Sequence, residues 1–381
     1  MQFALTPEQK MIQKVAREFA EKEIEPYAAE IDETGEYPME ILEKLGKLGF
    51  MGLAYPKEYG GSGAGYVAYA LVAEEVAKAC ASTAMTLGGN ASLASLPIYA
   101  FGTKAQKEKY LVPMVKGETI GAFALTEANA GSDAGNQQTT AVLEGDEYVL
   151  NGSKMFISSA GIAHTYVVTA VTGIVAEKGK KIISAFIVED GTQGFTFGKK
   201  ENKMGMHGSY TRELIFEDCR IPKENLLGKE GDGFKIAMTS LDSGRIGVGA
   251  LSLGIAQAAL EEAIKYSKSR IQFGKPIAKQ QMVQVMIADM ATEIDCARML
   301  VHRAAWLKDN GMPFTKEGAM AKLYASETAM RCASRAVQIH GGYGYMREYK
   351  VERLFRDAKI CEIFEGTSEV QRIVIAGQVL K

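Results

Sequence analysis

Hydrophobic periodicity changes twice along this chain, and those changes limit its architecture more than any other feature. Over residues 5–116 apolar side chains recur at spacings of three and four, as in MIQKVAREFA and EILEKLGKLGF, which predicts amphipathic helices. Thr6 and Pro7 form a helix-start pair: a side-chain oxygen that can cap, then a residue whose missing N–H costs nothing in the first turn. YPKEYGGSGAGY at 55–66 concentrates Gly, Pro and Ser and predicts a connecting loop. Between 118 and 226 the period shortens. DEYVLNGSKMFISSA, HTYVVTAVT, KKIISAFIVED, GFTFGKK and TRELIFEDCRIP are short β-rich runs separated by Gly, Asp and Asn turns. Their spacing predicts a small barrel or sandwich. Helical character returns in EGDGFKIAMTSLDSGR and continues through GVGALSLGIAQAALEEAIKYSKSR and MVQVMIADMATEIDCARMLVHRAAWLKDN. The expected fold class is α+β, mostly helical, with an N-terminal α-helical domain over 1–117, a β domain over 118–226 and a helix bundle over 227–381.

Composition narrows the function. With 381 residues, 47% hydrophobic, the chain can bury a large core. A formal net charge of −2 gives no broad attraction to nucleic acid or to an anionic membrane, so neither is expected as a partner. The five cysteines form no CxxC pair and the four histidines have no metal-ligand spacing, which predicts reduced thiols and no metal. No run approaches the roughly 20 apolar residues of a membrane span. The N-terminal stretch mixes acids and bases along an apolar period, unlike a secretory or transit segment, so a cytoplasmic location is expected.

Five segments could carry chemistry. GAFALTEANAGSDAG at 121–135 sets Thr126 and Ser132 among small residues that let backbone N–H groups approach a phosphate or a flavin carbonyl. KMFISSAG at 154–161 places Phe156 and Ser158 two positions apart, on one sheet face. RIQFGKPIAKQQ at 270–281 offers Arg270, Phe273 and Gln281 around a Gly-Lys-Pro break, and QIHGGYGYMREY at 338–349 has a glycine-rich break between helical patterns. CEIFEGTSEVQ at 361–371 sets Glu365 between Phe364 and Gly366, just before a helix start. Taken singly, each has an ordinary reading: a turn, a core aromatic, a salt-bridged helix end, or a carboxylate near a helix N-terminus.

Taken together, FALTEANAGSDAG, KMFISSAG, LDSGRIGVGALSLG, RIQFGKPI, QIHGGYGY and RDAKICEIFEGTSEVQR, in this order, resemble the acyl-CoA dehydrogenase family, particularly its short-chain, butyryl-CoA branch. The resemblance runs from Leu5 to the C-terminus. It implies a helical N-terminal domain, a middle β-barrel, a C-terminal four-helix bundle, a homotetramer and one FAD per subunit. By motif it implies flavin contacts from Phe123, Leu125, Thr126 and Ser132, with Ser132 also near the substrate's CoA portion, and from Phe156 and Ser158 beside the flavin ring. It implies pyrophosphate and adenosine contacts, made across a subunit interface, from Arg270, Phe273, Gln281, Gln338, Gly341 and Gly342. Asp242, Ser243, Gly244 and Arg245 match the CoA-binding helix, Gly366 lets the substrate pass closely, and Thr367 and Glu369 match further FAD contacts.

Removing a hydrogen pair from a saturated thioester needs a base for the α-proton and a hydride acceptor for the β-hydrogen. The resemblance makes Glu365 that base. Relatives whose base sits elsewhere carry it just before the matching arginine, where this chain has Gly244. The sequence departs from the family pattern at Ala128, where proline is usual, and at Ser158, Ser159 and Ala160, where Thr, Asn and Gly are usual. The implied activity is FAD-dependent oxidation of a butyryl-CoA-like thioester to the trans-2-enoyl-CoA, or its reverse, with electrons exchanged with electron-transfer flavoprotein. Two other readings stay open, an acryloyl- or aryl-acryloyl-CoA reductase and a non-catalytic flavoprotein that binds acyl-CoA or a partner.

Overall fold

The computed structural model describes residues 4–175 and 179–381. The helical first third is α1 (Pro7–Phe19), α2 (Ala28–Thr34), α3 (Met39–Lys47), α4 (Gly65–Ala79), α5 (Ala81–Gly88), α6 (Ser95–Phe101), α7 (Lys104–Gln106) and α8 (Val112–Lys116). Thr6 caps α1 reciprocally: its hydroxyl accepts from the Gln9 N–H at 3.1 Å while the Gln9 side chain accepts from the Thr6 N–H at 3.0 Å. Helices α5 and α6 are joined by one wide π-type segment, Gly89–Ala94, in which every residue is buried. Within it Asn90 donates to the Met114 carbonyl (3.1 Å) and accepts from the Gly121 N–H (2.9 Å), tying the helical layer to the first strand.

The sheet comprises β1 (Gly121–Ala124), β2 (Thr140–Glu144), β3 (Glu147–Ser158), β4 (Thr165–Val175), β5 (Lys180–Glu189), β6 (Phe195–Lys200), β7 (Thr211–Pro222) and β8 (Leu226–Leu227). The expected barrel does not form. The strand order is β6-β7-β3-β2-β4-β5-β8, with β1 alongside β4, so the path ends at β6 and β8 and stays open. The sheet is also mixed, since β4 runs parallel to β1 and to β2 but antiparallel to β5. A barrel needs its terminal strands paired in a consistent stagger; here one edge strand has two residues, too short to carry such a seam.

The C-terminal third contains α9 (Gly233–Ser269), the hairpin β9 (Ile271–Gln272) and β10 (Lys275–Pro276), α10 (Gln281–Asp309), α11 (Thr315–His340), α12 (Lys350–Cys361) and α13 (Ser368–Val379). Helix α9 is the spine, packing on α4, α10, α11 and α12. Small residues let the backbones close up: a Cβ added at Gly254 would lie 2.4 Å from the Glu74 carbonyl oxygen of α4. The sheet is anchored to α12 by Asp357, a buried carboxylate that accepts from the Met206 N–H at 2.5 Å. Among the described residues, no helix is long and apolar enough to cross a membrane.

Candidate active site

The Glu365–Gly366 turn joins α12 to α13. Both residues are left-handed, at φ 52° and 92°, a conformation that glycine adopts freely and glutamate does not. Thr367 caps α13 by accepting from the Val370 N–H at 3.3 Å, and Glu369 lies in the first turn, so the cap is already supplied without Glu365. The Glu365 carboxylate points across the turn at α9, where a Cβ added to Gly244 would lie 2.0 Å from its Oε2. A glycine at 244 is therefore what makes room for the carboxylate. Oε2 is buried and has no hydrogen-bond partner among the described residues. Burial pushes the Glu365 carboxyl up to about 7, against the pull of the nearby Lys322 and Arg245 cations.

Helix α9 supplies the wall opposite. Arg245 is buried and donates to Asp242 at 2.6 Å, and Asp242 also accepts from the Thr315 hydroxyl at 2.7 Å. Ser243 faces α10, where Lys308 donates to its hydroxyl and lies 3.8 Å from the Tyr66 ring centre. A crevice lined by Met51, Leu53, Tyr55, Tyr66, Tyr69 and Ser92 leaves no room for a water molecule, and Leu93 touches the same Gly244 position as the carboxylate.

The two motifs at the sheet entrance meet: the Met155 N–H donates to the Thr126 carbonyl at 2.8 Å. Leu125 is buried, Phe123 and Thr126 are half-buried and Ser132 is exposed. Phe156 is left-handed (φ 58°) yet 62% exposed, while Ile157 beside it is buried and Ser158 is half-buried. Ser159, at the second departure from the family pattern, is also left-handed (φ 64°) and buried, a position for which asparagine or glycine is better suited.

The remaining predicted residues gather elsewhere. Arg270, Gly341 and Gly342 line a cavity of about 500 Å³ with Tyr266, His340 and Tyr343. The Arg270 guanidinium lies 5.3 Å from the Tyr343 ring centre. Gly341 and Gly342 face open space, Gln338 and Gln281 are exposed, and Phe273 is 92% exposed at the hairpin tip with φ 53°. Gln338 and Lys322 stand on the same helix, α11, about 24 Å apart along its axis. One chain therefore keeps this group well away from Glu365. Its donor chemistry fits the pyrophosphate of a dinucleotide: a guanidinium and open glycine backbone, beside aromatic rings.

Three buried residues of the site were not foreseen. Lys322 of α11, 0% exposed, donates to the Gly366 carbonyl at 2.8 Å. Tyr69 of α4 has a buried hydroxyl with no partner among the described residues, 2.5 Å from where a Cβ on Gly247 would sit. Lys154 of β3, also 0% exposed, donates to Glu127 (2.7 Å), Gln137 (2.8 Å) and the Leu125 carbonyl (3.2 Å), supporting the Leu125–Thr126 loop from below. The signal for Lys322 was its place on the stripe Gly318, Ala319, Lys322, Ala325, Ser326 and Ala329, spaced like the core face of a helix.

Helical layers surround an open mixed sheet, with a buried carboxylate oxygen on one turn and a guanidinium-lined cavity well away from it. The chain belongs to the acyl-CoA dehydrogenase family. Its residues 6–118 match the N-terminal domain of acyl-CoA dehydrogenases, 122–219 the middle domain and 231–380 the C-terminal domain. It is 55% identical to the acryloyl-CoA reductase (NADH) of Anaerotignum propionicum, over 100% of this chain and 96% of that one. The butyryl-CoA dehydrogenase structure from Megasphaera elsdenii superposes with a TM-score of 0.97 at 52% identity, covering 100% of both chains. A chain solved in a study of the electron-transferring flavoprotein of Acidaminococcus fermentans superposes equally well, TM-score 0.97, at 54% identity and 100% of both.

Proposed function

We propose that this protein is a FAD-dependent acyl-CoA dehydrogenase acting on a short-chain acyl-CoA, with Glu365 as the base that takes the α-proton and electron-transfer flavoprotein as redox partner. The single observation that carries the base is the unpartnered, buried Oε2 of Glu365, aimed at Gly244 on the helix matched to CoA binding. A carboxylate raised to about 7 is basic enough to accept a proton and is still ionised in part at neutral pH.

FAD, when bound, supplies the acceptor for the β-hydride. The chain's own residues do the rest. The Glu365 N–H donates to no acceptor among the described residues, so it is free to bind the thioester oxygen as charge develops there. Asp242 and Arg245 hold the wall along which the CoA arm would lie. Phe156 offers an exposed aromatic face, and the Leu125–Thr126 loop above Lys154 offers backbone groups, to the flavin ring. Arg270, Gly341 and Gly342 would hold the pyrophosphate of a neighbouring subunit's cofactor, since their separation from Glu365 suits a homotetramer better than a lone chain. Tyr55, Tyr66 and Tyr69 pack too closely to leave open volume between them, so this wall would close off a chain longer than butyryl.

The sequence similarity to an acryloyl-CoA reductase keeps a reductive role as the second reading. Anaerobic titration of the purified yellow protein with saturated C3 to C8 and aryl acyl-CoAs, following the oxidised flavin band, tests both. Bleaching strongest with butyryl-CoA is expected. Bleaching by none of them, with reoxidation of chemically reduced enzyme by acryloyl- or aryl-acryloyl-CoA, would overturn the dehydrogenase assignment.

A further inference from the structure

We infer that Lys322 is the positioning residue of this site: its buried ammonium grips the Gly366 carbonyl and so holds the strained Glu365 turn with the carboxylate aimed at Gly244. The inference rests on the reading of Glu365 as the base. Lys322 is 0% exposed and bonds to a backbone carbonyl, not to a carboxylate, among the described residues. Burying an uncompensated ammonium is costly, and helix packing alone would be better served by an apolar side chain. What the ammonium has instead is one charge-assisted bond, 2.8 Å to the Gly366 oxygen. The same oxygen accepts from Gln371 Nε2 at 2.8 Å, and that amide also reaches the Glu365 carbonyl at 3.2 Å. Two consecutive carbonyls of a left-handed pair are thus clamped from α11 and from α13. A left-handed glutamate persists only where its surroundings over-determine it.

Charge points the same way. The groups facing Glu365 are Lys322 from α11, Arg245 from α9 and the Tyr69 hydroxyl from α4, with Cys361 at the end of α12 and Glu362 just after it facing Lys322. Arg245 is already paired with Asp242. Lys322 is the cation left to favour the ionised carboxylate. Burial lowers Lys322 itself to about 8, so it remains charged at neutral pH.

The test uses full-length, FAD-loaded Lys322→Met, Lys322→Gln and Lys322→Arg beside Glu365→Gln, with flavin bleaching by butyryl-CoA followed anaerobically across about pH 5.5 to 9. Lys322→Met should lower the limiting rate at least about tenfold and move the rising limb to higher pH, with butyryl-CoA affinity less affected. Lys322→Gln keeps a donor without the charge, so its limb should shift while its limiting rate falls less. Lys322→Arg should keep the midpoint. If Lys322→Met fails to fold, the Gln and Arg variants decide. Wild-type rate and midpoint in Lys322→Gln would overturn the inference while an inert Glu365→Gln leaves the base assignment standing. Normal bleaching by Glu365→Gln would overturn the base assignment first.

Discussion

Glu365 and Phe273 share an uncommon backbone conformation, φ 52° and 53°, and little else. Around Glu365 the strain is met from within the chain: its own carbonyl and the next one accept from Gln371, and Lys322 adds a third bond. Around Phe273 nothing of the sort exists among the described residues, and the ring stands 92% exposed. On the proposed reading, the difference teaches which half of the chemistry one chain completes. A base has to be dehydrated and aimed before substrate arrives. A hairpin that holds an aromatic out in water, against the hydrophobic effect, would be finished by the second subunit proposed above.

Removing the proposed base should give the largest effect. Glu365→Gln keeps the shape and an accepting oxygen but cannot take the α-proton, so bleaching should fall by about 10²- to 10⁴-fold or more while FAD and acyl-CoA still bind. Moving the carboxylate sharpens the point. In Glu365→Gly the clash at Gly244 disappears, leaving Leu93 Cδ2, the end of a flexible side chain, 2.8 Å from the new Cβ. Gly244→Glu added to Glu365→Gly should therefore recover part of the lost rate. A folded but wholly inactive double variant would reject a shared pocket.

Next comes the open half. Arg270→Ala should weaken FAD retention by about 10- to 100-fold, the worth of one charge-assisted bond, and leave acyl-CoA affinity nearly unchanged. Dilution to monomers should release flavin in the same way. Equal losses of FAD and acyl-CoA binding on Arg270→Ala would erase the distinction between the two halves.

Much of this division was legible in the residues, and what was missed has a common cause. Glu365 read alone as a carboxylate near a helix N-terminus; the family resemblance, with Gly244 where other relatives carry their base, is what made it the candidate. Helical and strand regions followed from period alone. Sheet closure did not, because alternation identifies strands without stating which of them become edges, and the eight-stranded sheet depends on pairings such as β3 with β7 that lie far apart in sequence. Lys322 and Lys154 were passed over because a lysine ordinarily reads as solvated. Both sit where the local period points inward, Lys154 being in step with buried Tyr148 and Leu150 along β3.

The two halves should also differ in how they respond to pH. Burial raises the folded Glu365 from the usual 4.5 to about 7, so the native state holds its proton more tightly than the unfolded chain does. Its contribution to stability is fully present below about pH 4.5 and is lost as pH rises through about 7. Glu365→Gln does not titrate. The variant should therefore gain on the wild type across that interval, by at most about 3 kcal/mol, with no further gain above it. Thermal midpoints of the flavin-free proteins on either side of pH 7 measure this, and a constant difference would mean that the carboxylate is as well solvated as a surface one.

Phe273→Gly should change the fold least. Glycine removes the strain of a left-handed aromatic but loosens the unfolded chain, and the two effects nearly cancel to within about 1 kcal/mol. Because the ring touches so little of its own chain, the thermal midpoint of dilute flavin-free protein should hardly move. FAD retention should still fall, since the hairpin loses the surface it offers. A stability loss that appears only at high protein concentration would place Phe273 against a second subunit and strengthen the contrast with Glu365. A loss of several kcal/mol independent of concentration would show the ring to be part of its own chain's core, and the two left-handed sites would no longer differ in kind.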